Sequence, residues 1–289
     1  MGPKVTIGVC VKDSEKTIRE SVESIINQKY PAELIQVIIV DGCSKDKTLS
    51  IINSATSKTC MIVETYSDKG EGLGTARQIV VNNAKGKYVI FVDGDVKLFS
   101  DFVRNHVKFM EENPGIGVAF GTPMLQEGTL IATVWDLSTY AAGGSIGTGA
   151  AIFRSEFLRQ VGGFDTKIKG ASEDRDLFVR FRLHGWQVSV NESARFFHKH
   201  RENLRSFWVE QSWFGYGDHY FNHKHGSIGT VWRKFPAGEF VYGLELASRA
   251  YERTHRKLSF LILPQMILGN IGWWAGFAKG HKDGYGHEK

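Results

Sequence analysis

The first 98 residues alternate between apolar stretches of strand length and stretches with helical spacing, and this alternation restricts the folds open to the chain. The apolar stretches predict strands at 5–11, 37–40, 60–64 and 88–92. The stretches between them predict helices at 14–28, 47–54 and 74–84. Strands separated by helices form parallel sheets that are covered by helices on both faces. We therefore predict an α/β fold with a mostly parallel sheet flanked by helices.

The second half of the chain is less regular. Strands are expected at 150–153 and 188–190, and helices at 155–161 and 174–184. The composition changes beyond residue 197, where five of the seven Trp and eight of the ten His lie. We expect this end of the chain to form a helical C-terminal extension.

An uncharged stretch of 21 residues, 258–278, lies in that extension. Its length is enough to span a bilayer, although polar residues and a proline interrupt it. Basic residues flank it on both sides: Arg253, Arg256, Lys257, Lys279 and Lys282. Two interpretations stay open, namely peripheral membrane contact through 253–282 and a buried helical hairpin, and an isolated full span fits least.

The overall composition is that of an ordinary globular protein, with 42% hydrophobic and 23% charged residues in a chain of 289. The net charge of +5 suits an anionic substrate or membrane surface, and equally a solvated basic surface. We expect no nucleic-acid partner, because the sequence has no basic block or aromatic RNA-binding motif. Cys10, Cys43 and Cys60 lack the spacing of a disulfide framework or a zinc site. With a strand directly at the N-terminus in place of a signal peptide, this predicts a cytoplasmic location, either in solution or at the cytoplasmic face of the membrane.

Asp93-Gly94-Asp95 directly follows the predicted strand at 88–92. Two carboxylates at a strand end can be aimed at one Mg²⁺ or Mn²⁺, which keeps positions for phosphate oxygens. The alternative is a solvated turn that uses Asp-Gly chemistry. Asp13 and Asp41 also follow apolar strands, so all three turns should meet at the carboxyl edge of the sheet, where such folds bind ligands.

Asp41 can accept hydrogen bonds from a base or a ribose, whereas Asp46 suits a helix cap better. The glycine-rich turn at 69–77 enters a helix, and its N–H groups and Arg77 can meet phosphate, although it lacks the P-loop and Rossmann spacings. One arginine is flanked by three carboxylates, those of Glu173, Asp174 and Asp176. This is more negative charge than the start of a helix needs, so one of the three can act as a general base.

His198 and His200 offer imidazole ligands for the same cation, or form an exposed basic turn. The aromatic segment 211–217 suits sugar stacking, or an ordinary core helix that stops at its glycine.

Taken in order, these segments resemble the family 2 glycosyltransferases from about residue 5 to residue 217. The resemblance is carried by 5–18, Gln28-Lys29-Tyr30-Pro31, 40–48, Ala76-Arg77-Gln78, Asp93-Gly94-Asp95, 147–153, Gly162-Gly163-Phe164-Asp165, Glu173-Asp174-x-Asp176-Leu177, His198-x-His200 and 211–217. Two departures are Gly42, where a second Asp is frequent, and the lack of a clear Gln-x-x-Arg-Trp, which argues against a processive polymer synthase.

The resemblance implies a GT-A (Rossmann-like) domain at 1–225, with a nucleotide-sugar half at 1–98 and an acceptor half at 99–225, followed by a helical, membrane-associating or buried segment at 226–289. It implies an inverting transfer with Asp174 as the base. The donor would contact Val9, Val11, Asp13, Asp41, Arg77, Asp93 and Gly94. The acceptor would contact Glu173, Thr148, Gly149, Trp213 and Tyr216. Mn²⁺ or Mg²⁺ would be held by Asp95, Asp93, His198 and His200.

A UDP-sugar is the expected donor, because pyrimidine donors are commonest in the family, and a hydroxyl of a glycan or lipid-linked glycan is the expected acceptor. Three alternatives remain open at this point. They are transfer to a polyprenyl phosphate, which needs no base, a nucleotide- or metal-binding module without activity, and a nucleotidyltransferase. The last usually has an N-terminal glycine-rich signature with a lysine, which 5–14 lacks. The sequence leaves the oligomeric state open.

Overall fold

The computed structural model describes residues 2, 4–143, 147–226 and 235–286. Within them the strands form one eight-stranded sheet with the order β3-β2-β1-β4-β7-β6-β8-β5. The strands are β1 (Val5–Val11), β2 (Ile35–Asp41), β3 (Ile62–Ser67), β4 (Tyr88–Val92), β5 (Val96–Leu98), β6 (Ile116–Pro123), β7 (Ala150–Arg154) and β8 (Gln187–His198).

Ten described α-helices accompany the sheet. They are α1 (Ile18–Ile26), α2 (Thr48–Thr56), α3 (Leu73–Asn83), α4 (Phe102–Glu112), α5 (Leu130–Ala141), α6 (Ser155–Gln160), α7 (Glu173–Leu183), α8 (Leu204–His225), α9 (Pro236–Thr254) and α10 (Ile262–Lys282). Short 3₁₀ turns lie at Ala32–Leu34 and Lys257–Leu261.

The first four strands are mutually parallel, which confirms the α/β prediction for this half of the sheet. The other half is mixed. β7 runs antiparallel to both β4 and β6, β6 is parallel to β8, and β5 is antiparallel to β8. The carboxyl ends of β1, β2 and β4 therefore share one edge, as the alternation of strands and helices predicts.

Helices pack on both faces of the sheet. Because side chains alternate along a strand, each strand contributes residues to both faces. Val5, Ile7 and Val9 of β1 join one hydrophobic cluster with the apolar face of α1. Strands β2 and β4 send their other face, including Phe91, into a second cluster with α3. Gly8 makes this packing close, since a Cβ there would lie 2.5 Å from a Val80 methyl.

The chain divides into two compact units. One comprises 1–124, 146–169 and 174–198 and carries the whole sheet. The other comprises 125–145, 170–173 and 199–289 and contains α5, α8, α9 and α10. The predicted domain boundary at residue 225 coincides with the end of α8, and the domain division stays a prediction.

Glycines bring α8 and α10 into backbone contact within the second unit. A Cβ on Gly215 would lie 1.9 Å from the Trp273 carbonyl oxygen, and one on Gly276 would lie 1.8 Å from that of Ser212. The expectation that Gly217 would stop a helix was wrong, because α8 continues through it to His225. Gly217 instead allows close approach to Ala171, whose carbonyl oxygen would be 2.1 Å from an added Cβ.

Candidate active site at the carboxyl edge of the sheet

The turns after β1 and β2 are joined by hydrogen bonds. Val11 and Asp41 are register partners at the strand ends, and the Gly42 N–H donates to the Val11 carbonyl at 2.8 Å. The Asp41 carboxylate is buried and accepts from the Ser44 N–H at 3.1 Å. A buried carboxylate, held by a hydrogen bond, therefore lies at the carboxyl end of β2.

Asp13 lies in the neighbouring turn. Its backbone N–H donates to the Ser44 hydroxyl at 2.9 Å, and its carboxylate accepts from the Lys45 N–H at 2.8 Å. Asp13 and Cys43 have φ values of 48° and 62°, in the left-handed region that few side chains adopt. Val9, by contrast, is fully buried in the core behind these turns.

Asp93 is the first carboxylate after β4. Its Oδ1 accepts from an Arg77 guanidinium nitrogen at 3.0 Å, and its backbone N–H donates to the Gly149 carbonyl at 3.2 Å. Glycine at position 149 leaves room for this carboxylate, because a Cβ there would lie 2.2 Å from Asp93 Oδ2 and would displace it. Arg77 itself is buried, with Phe91 and Phe164 rings about its guanidinium, at 6.0 and 5.8 Å.

Asp95 faces His198. The antiparallel pairing of β5 with β8 sets Val96 opposite His198, and the His198 Nε2 then lies 3.4 Å from Asp95 Oδ1. Both side chains keep partial exposure, 31% for His198 and 19% for Asp95. Carboxylate oxygens and one imidazole nitrogen form a donor set that fits Mn²⁺ and tolerates Mg²⁺.

His200 has a different environment. Its Nε2 lies 3.1 Å from Asp136 Oδ1, and both side chains are buried in the second unit. The same Asp136 accepts from the Gln126 N–H at 2.8 Å. The structure thus brings His198 to Asp95, and it gives His200 a carboxylate partner of its own.

Asp174 lies in the first turn of α7 and is half-buried. Burial raises the pKa of its carboxyl above the ordinary value, and the negative charge of Asp93 adds to the rise. The Arg77 guanidinium and the Arg175 N–H, which donates to Asp174 Oδ1 at 2.7 Å, act in the opposite direction. A carboxylate with a raised pKa that stays in reach of the site is suited to accept a proton.

The other two acidic residues of this segment are placed differently. Asp176 is fully buried and accepts two hydrogen bonds from Arg180, at 2.9 and 2.7 Å, so it forms a structural ion pair. Glu173 is buried at 2% exposure. Ser172, just before the helix, adopts φ 77° and donates to Asp218 at 2.5 Å.

The glycine-rich turn packs against backbone. A Cβ on Gly72 would lie 2.8 Å from the Lys169 carbonyl oxygen, and one on Gly74 would lie 2.5 Å from that of Asp165. Sequence reasoning missed Asp68, a buried carboxylate that accepts from the N–H groups of residues 70 and 72 at 2.7 and 3.2 Å. Its position directly after β3, like those of the other strand-end aspartates, was the available clue.

The residues expected to contact the acceptor are distributed over both units. Thr148 is 1% exposed, and its hydroxyl has no hydrogen-bond partner in the described part of the chain. Trp213 is exposed on α8. Tyr216, one turn on, stacks on Tyr285 with ring centroids 4.6 Å apart, and burial, followed by the nearby Asp283, raises the pKa of its hydroxyl.

Solved structures share this fold over nearly the whole chain. A mannosyltransferase, PcManGT from Pyrobaculum calidifontis, solved with GDP-Man and Mn²⁺, matches with a TM-score of 0.66 and 16% identity, covering 98% of this chain and 88% of that one. Staphylococcus aureus TarS 1–349 in complex with UDP matches with a TM-score of 0.54 and 18% identity, covering 97% and 92%. The molecule therefore has the fold of the GT-A glycosyltransferases.

The sequence comparisons also point to glycosyltransferases. Residues 6–133, somewhat less than half of the chain, match the model of glycosyl transferase family 2. It is 30% identical over 110 residues to the poly(ribitol-phosphate) β-N-acetylglucosaminyltransferase TarS of S. aureus, covering 38% of this chain and 19% of that protein. It is 26% identical over 215 residues to the putative glycosyltransferase EpsE of Bacillus subtilis, covering 71% and 76%. The match thus spans about one fifth of the length of TarS.

Proposed function

We propose that this chain is an inverting glycosyltransferase, which moves a sugar from a nucleoside diphosphate donor to a hydroxyl of a glycan or lipid-linked glycan. The observation that carries the proposal is the grouping of Asp93, Arg77 and Asp174, with Asp95 and His198 extending the same edge of the sheet. This grouping offers cation ligands and a proton acceptor within one unit of the fold.

The donor would lie along the edge formed by Asp13, Asp41, Val11 and Gly94, with its base at the buried Asp41 carboxylate. UDP-sugars are the proposed donors. The TarS structures in complex with UDP and UDP-GlcNAc support this choice, and the GDP-Man complex of PcManGT supplies the competing candidate.

Asp95, Asp93 and His198 would hold Mn²⁺ or Mg²⁺, which, when bound, neutralises the charge that builds up on the departing diphosphate. His198 is preferred to His200 as a ligand, because His200 is paired with Asp136. Arg77 keeps Asp93 oriented through its hydrogen bond at 3.0 Å, so the cation ligand is fixed before the donor arrives.

Asp174 would accept the proton of the acceptor hydroxyl. The hydroxyl oxygen then attacks the anomeric carbon on the face opposite the diphosphate, while the bond from that carbon to the diphosphate oxygen breaks. The nucleoside diphosphate leaves with the bonding electrons, the anomeric configuration inverts and the proton stays on Asp174. Positioning of the two substrates and charge stabilisation supply most of the rate.

The substitution Asp174→Asn tests the base directly. We expect it to lower transfer by more than about 100-fold, since general base catalysis contributes about 10²–10⁴-fold. UDP binding, followed by calorimetry with Mn²⁺, should be nearly unchanged. Asp101→Asn, which alters a surface carboxylate beside Arg104, is the matched control and should be fully active. Equal loss of transfer and of nucleotide binding in Asp174→Asn would contradict the assignment.

Transfer to a polyprenyl phosphate is the second candidate function, because the helical unit carries an exposed apolar surface on α9 and α10. An anionic phosphate acceptor is already a nucleophile and needs no base. Retention of activity by Asp174→Asn with a polyprenyl phosphate acceptor would therefore favour this second function over the first.

A further inference from the structure

Three histidines from two helices meet in the helical unit, which does not include Asp93 and Asp95. His219 and His223 lie one turn apart on α8, and His281 lies in the last turn of α10. Residues four apart on a helix share a face, so the first two imidazoles project together. One ring nitrogen from each of the three lies within 4.8 Å of the others.

The buried member, His219, has the hydrogen bond that fixes a metal-binding imidazole. Its Nδ1 lies 2.7 Å from the Tyr285 carbonyl oxygen, which can only accept, so Nδ1 carries the proton. The lone pair is then on Nε2, the nitrogen that faces His281. Metal-bound histidines in proteins almost always donate their other N–H to a carbonyl or carboxylate in this way.

The spacing of the facing nitrogens also suits a shared ion. His219 Nε2 and His281 Nδ1 are 3.4 Å apart, longer than a good N–H···N hydrogen bond. Two nitrogens bound to one tetrahedral Zn²⁺ at about 2.0–2.1 Å lie about 3.3–3.4 Å apart. The observed separation therefore matches the edge of a zinc tetrahedron.

The backbone makes room for this arrangement. Gly280 precedes His281, and a Cβ there would lie 2.9 Å from the His219 Cβ, so a larger residue would push the two helices apart. The His219 and His223 rings are 4.6 Å apart, and the His219 and His281 rings 5.6 Å. His223 and His281 are exposed, which gives an ion a route in from solvent.

From this geometry we propose that His219, His223 and His281 form a second metal site, which binds Zn²⁺ or a similar transition-metal ion and links α8 to α10. Three imidazoles without a carboxylate favour zinc, nickel, copper or cobalt over the hard cations Mg²⁺ and Mn²⁺. The ligands hold three corners of the tetrahedron, and water fills the fourth. The site is independent of the donor edge, so it stands whether or not the proposed transfer does.

The test uses the full chain with its purification tag removed and its metals stripped by chelation. Zn²⁺ is titrated by calorimetry in excess Mg²⁺, which occupies the carboxylate site, and Co²⁺ is followed by its visible absorption. We expect one strong Zn²⁺ equivalent, tetrahedral Co²⁺ bands and a higher melting temperature with Zn²⁺. His223→Ala and His281→Ala should each weaken Zn²⁺ binding by more than about 100-fold, beyond the 10–100-fold typical of outer-shell changes.

His225→Ala is the matched control. It removes a histidine of the same helix whose ring packs on Phe221, and it should bind Zn²⁺ as the wild type does. Asp95→Asn should also leave the strong equivalent intact. His223 and His281 are exposed, so their alanine variants should retain the wild-type circular dichroism. Unchanged Zn²⁺ affinity in both folded variants, or an equal loss in His225→Ala, would overturn the proposal.

Discussion

Arg77 is the residue on which the donor edge depends most. It is buried, it binds Asp93 at 3.0 Å, and its charge opposes the effect of burial on the pKa of Asp174. The sequence predicts that Arg77 contacts a donor phosphate, and in the structure it donates a hydrogen bond to Asp93. We therefore interpret Arg77 as a positioning residue, which orients Asp93 before substrate binds and favours the charged form of Asp174.

Gly149→Ala tests how tightly Asp93 must be held. The added Cβ would lie 2.2 Å from Asp93 Oδ2, so the carboxylate has to move away from its present position. We expect the apparent affinity for Mn²⁺, measured from the metal dependence of transfer, to fall by about tenfold or more, at a stability cost of about 1–3 kcal/mol.

Gly115→Ala is the control for that change, since the nearest atom to its Cβ would be 3.9 Å away. It should alter neither metal dependence nor melting temperature. A Gly149→Ala variant with normal metal dependence would show that the site tolerates a displaced Asp93.

His106 makes stability depend on pH. It is fully buried on α4, and burial lowers its pKa to about 3, against about 6.5 in the unfolded chain. The unfolded state therefore binds the extra proton between these values, and stability falls as the pH drops below about 6.5. From pH 7.5 to pH 5 the loss should be about 2 kcal/mol in urea unfolding. In His106→Leu this loss should disappear, and an unchanged pH slope would contradict the assignment.

At the scale of elements, some parts of the fold are predictable and others are not. Strands β2 and β4 are buried along their whole length, and β1 is buried except at Cys10, so their apolar stretches identify them. β6 contains Gly117 and Gly121, which lower its strand propensity; a Cβ on Gly121 would lie 2.9 Å from the Phe102 ring. β5 has three residues, too few to show a period.

The position of His198 beside Asp95 could not be predicted from the local sequence. That His198 reaches Asp95 depends on β5 pairing with β8, a contact between strands about a hundred residues apart. No local pattern encodes such pairing. The strand-end aspartates Asp13, Asp41 and Asp93 were predictable, because the ends of parallel strands meet at one edge by construction.

The apolar surface of α9, the turn Lys257–Leu261 and α10 predicts membrane contact. Among the described residues one helical stretch, Lys257–Lys282, is long and apolar enough to cross a bilayer, and 33% of its 18-residue apolar window is buried. Phe260 and Ile271 are 59% and 54% exposed. We expect the chain to co-sediment with anionic vesicles, less so with neutral ones, because Arg253, Lys279 and their neighbours add attraction.

The double variant Phe260→Ser/Ile271→Ser should lose most of that vesicle binding while keeping its fold. Leu183→Ser, which changes a residue 78% exposed on α7, is the control. Equal binding by all three proteins would argue that the apolar helix serves the packing of the helical unit.

For the whole molecule, fold similarity and sequence similarity cover different lengths. The family model ends at residue 133 and includes Asp93 and Asp95, whereas Asp174 and His198 lie beyond it. The structural match to PcManGT covers 98% of the chain. The proposed cation site is thus supported by sequence and fold together, and the proposed base by the geometry of the fold.

The donor can be identified at this scale by ligand-induced stabilisation. With Mn²⁺ present, UDP-sugars should raise the melting temperature more than GDP- or dTDP-sugars, and the shift should shrink when the cation is omitted. A ligand at 100 times its dissociation constant adds about 2.7 kcal/mol of stability. A larger shift with GDP-sugars would identify GDP-sugars as the donors. No shift with any of these nucleotide sugars would contradict the proposed transferase activity.

The backbone contacts at Gly215 and Gly276 have a mechanical consequence. With main chain resting on main chain, α8 and α10 cannot slide or rotate past each other without a collision between peptide groups. The two helices should therefore move as one rigid body. If a bilayer binds α10, we therefore expect α8 and its exposed Trp213 to move together with α10.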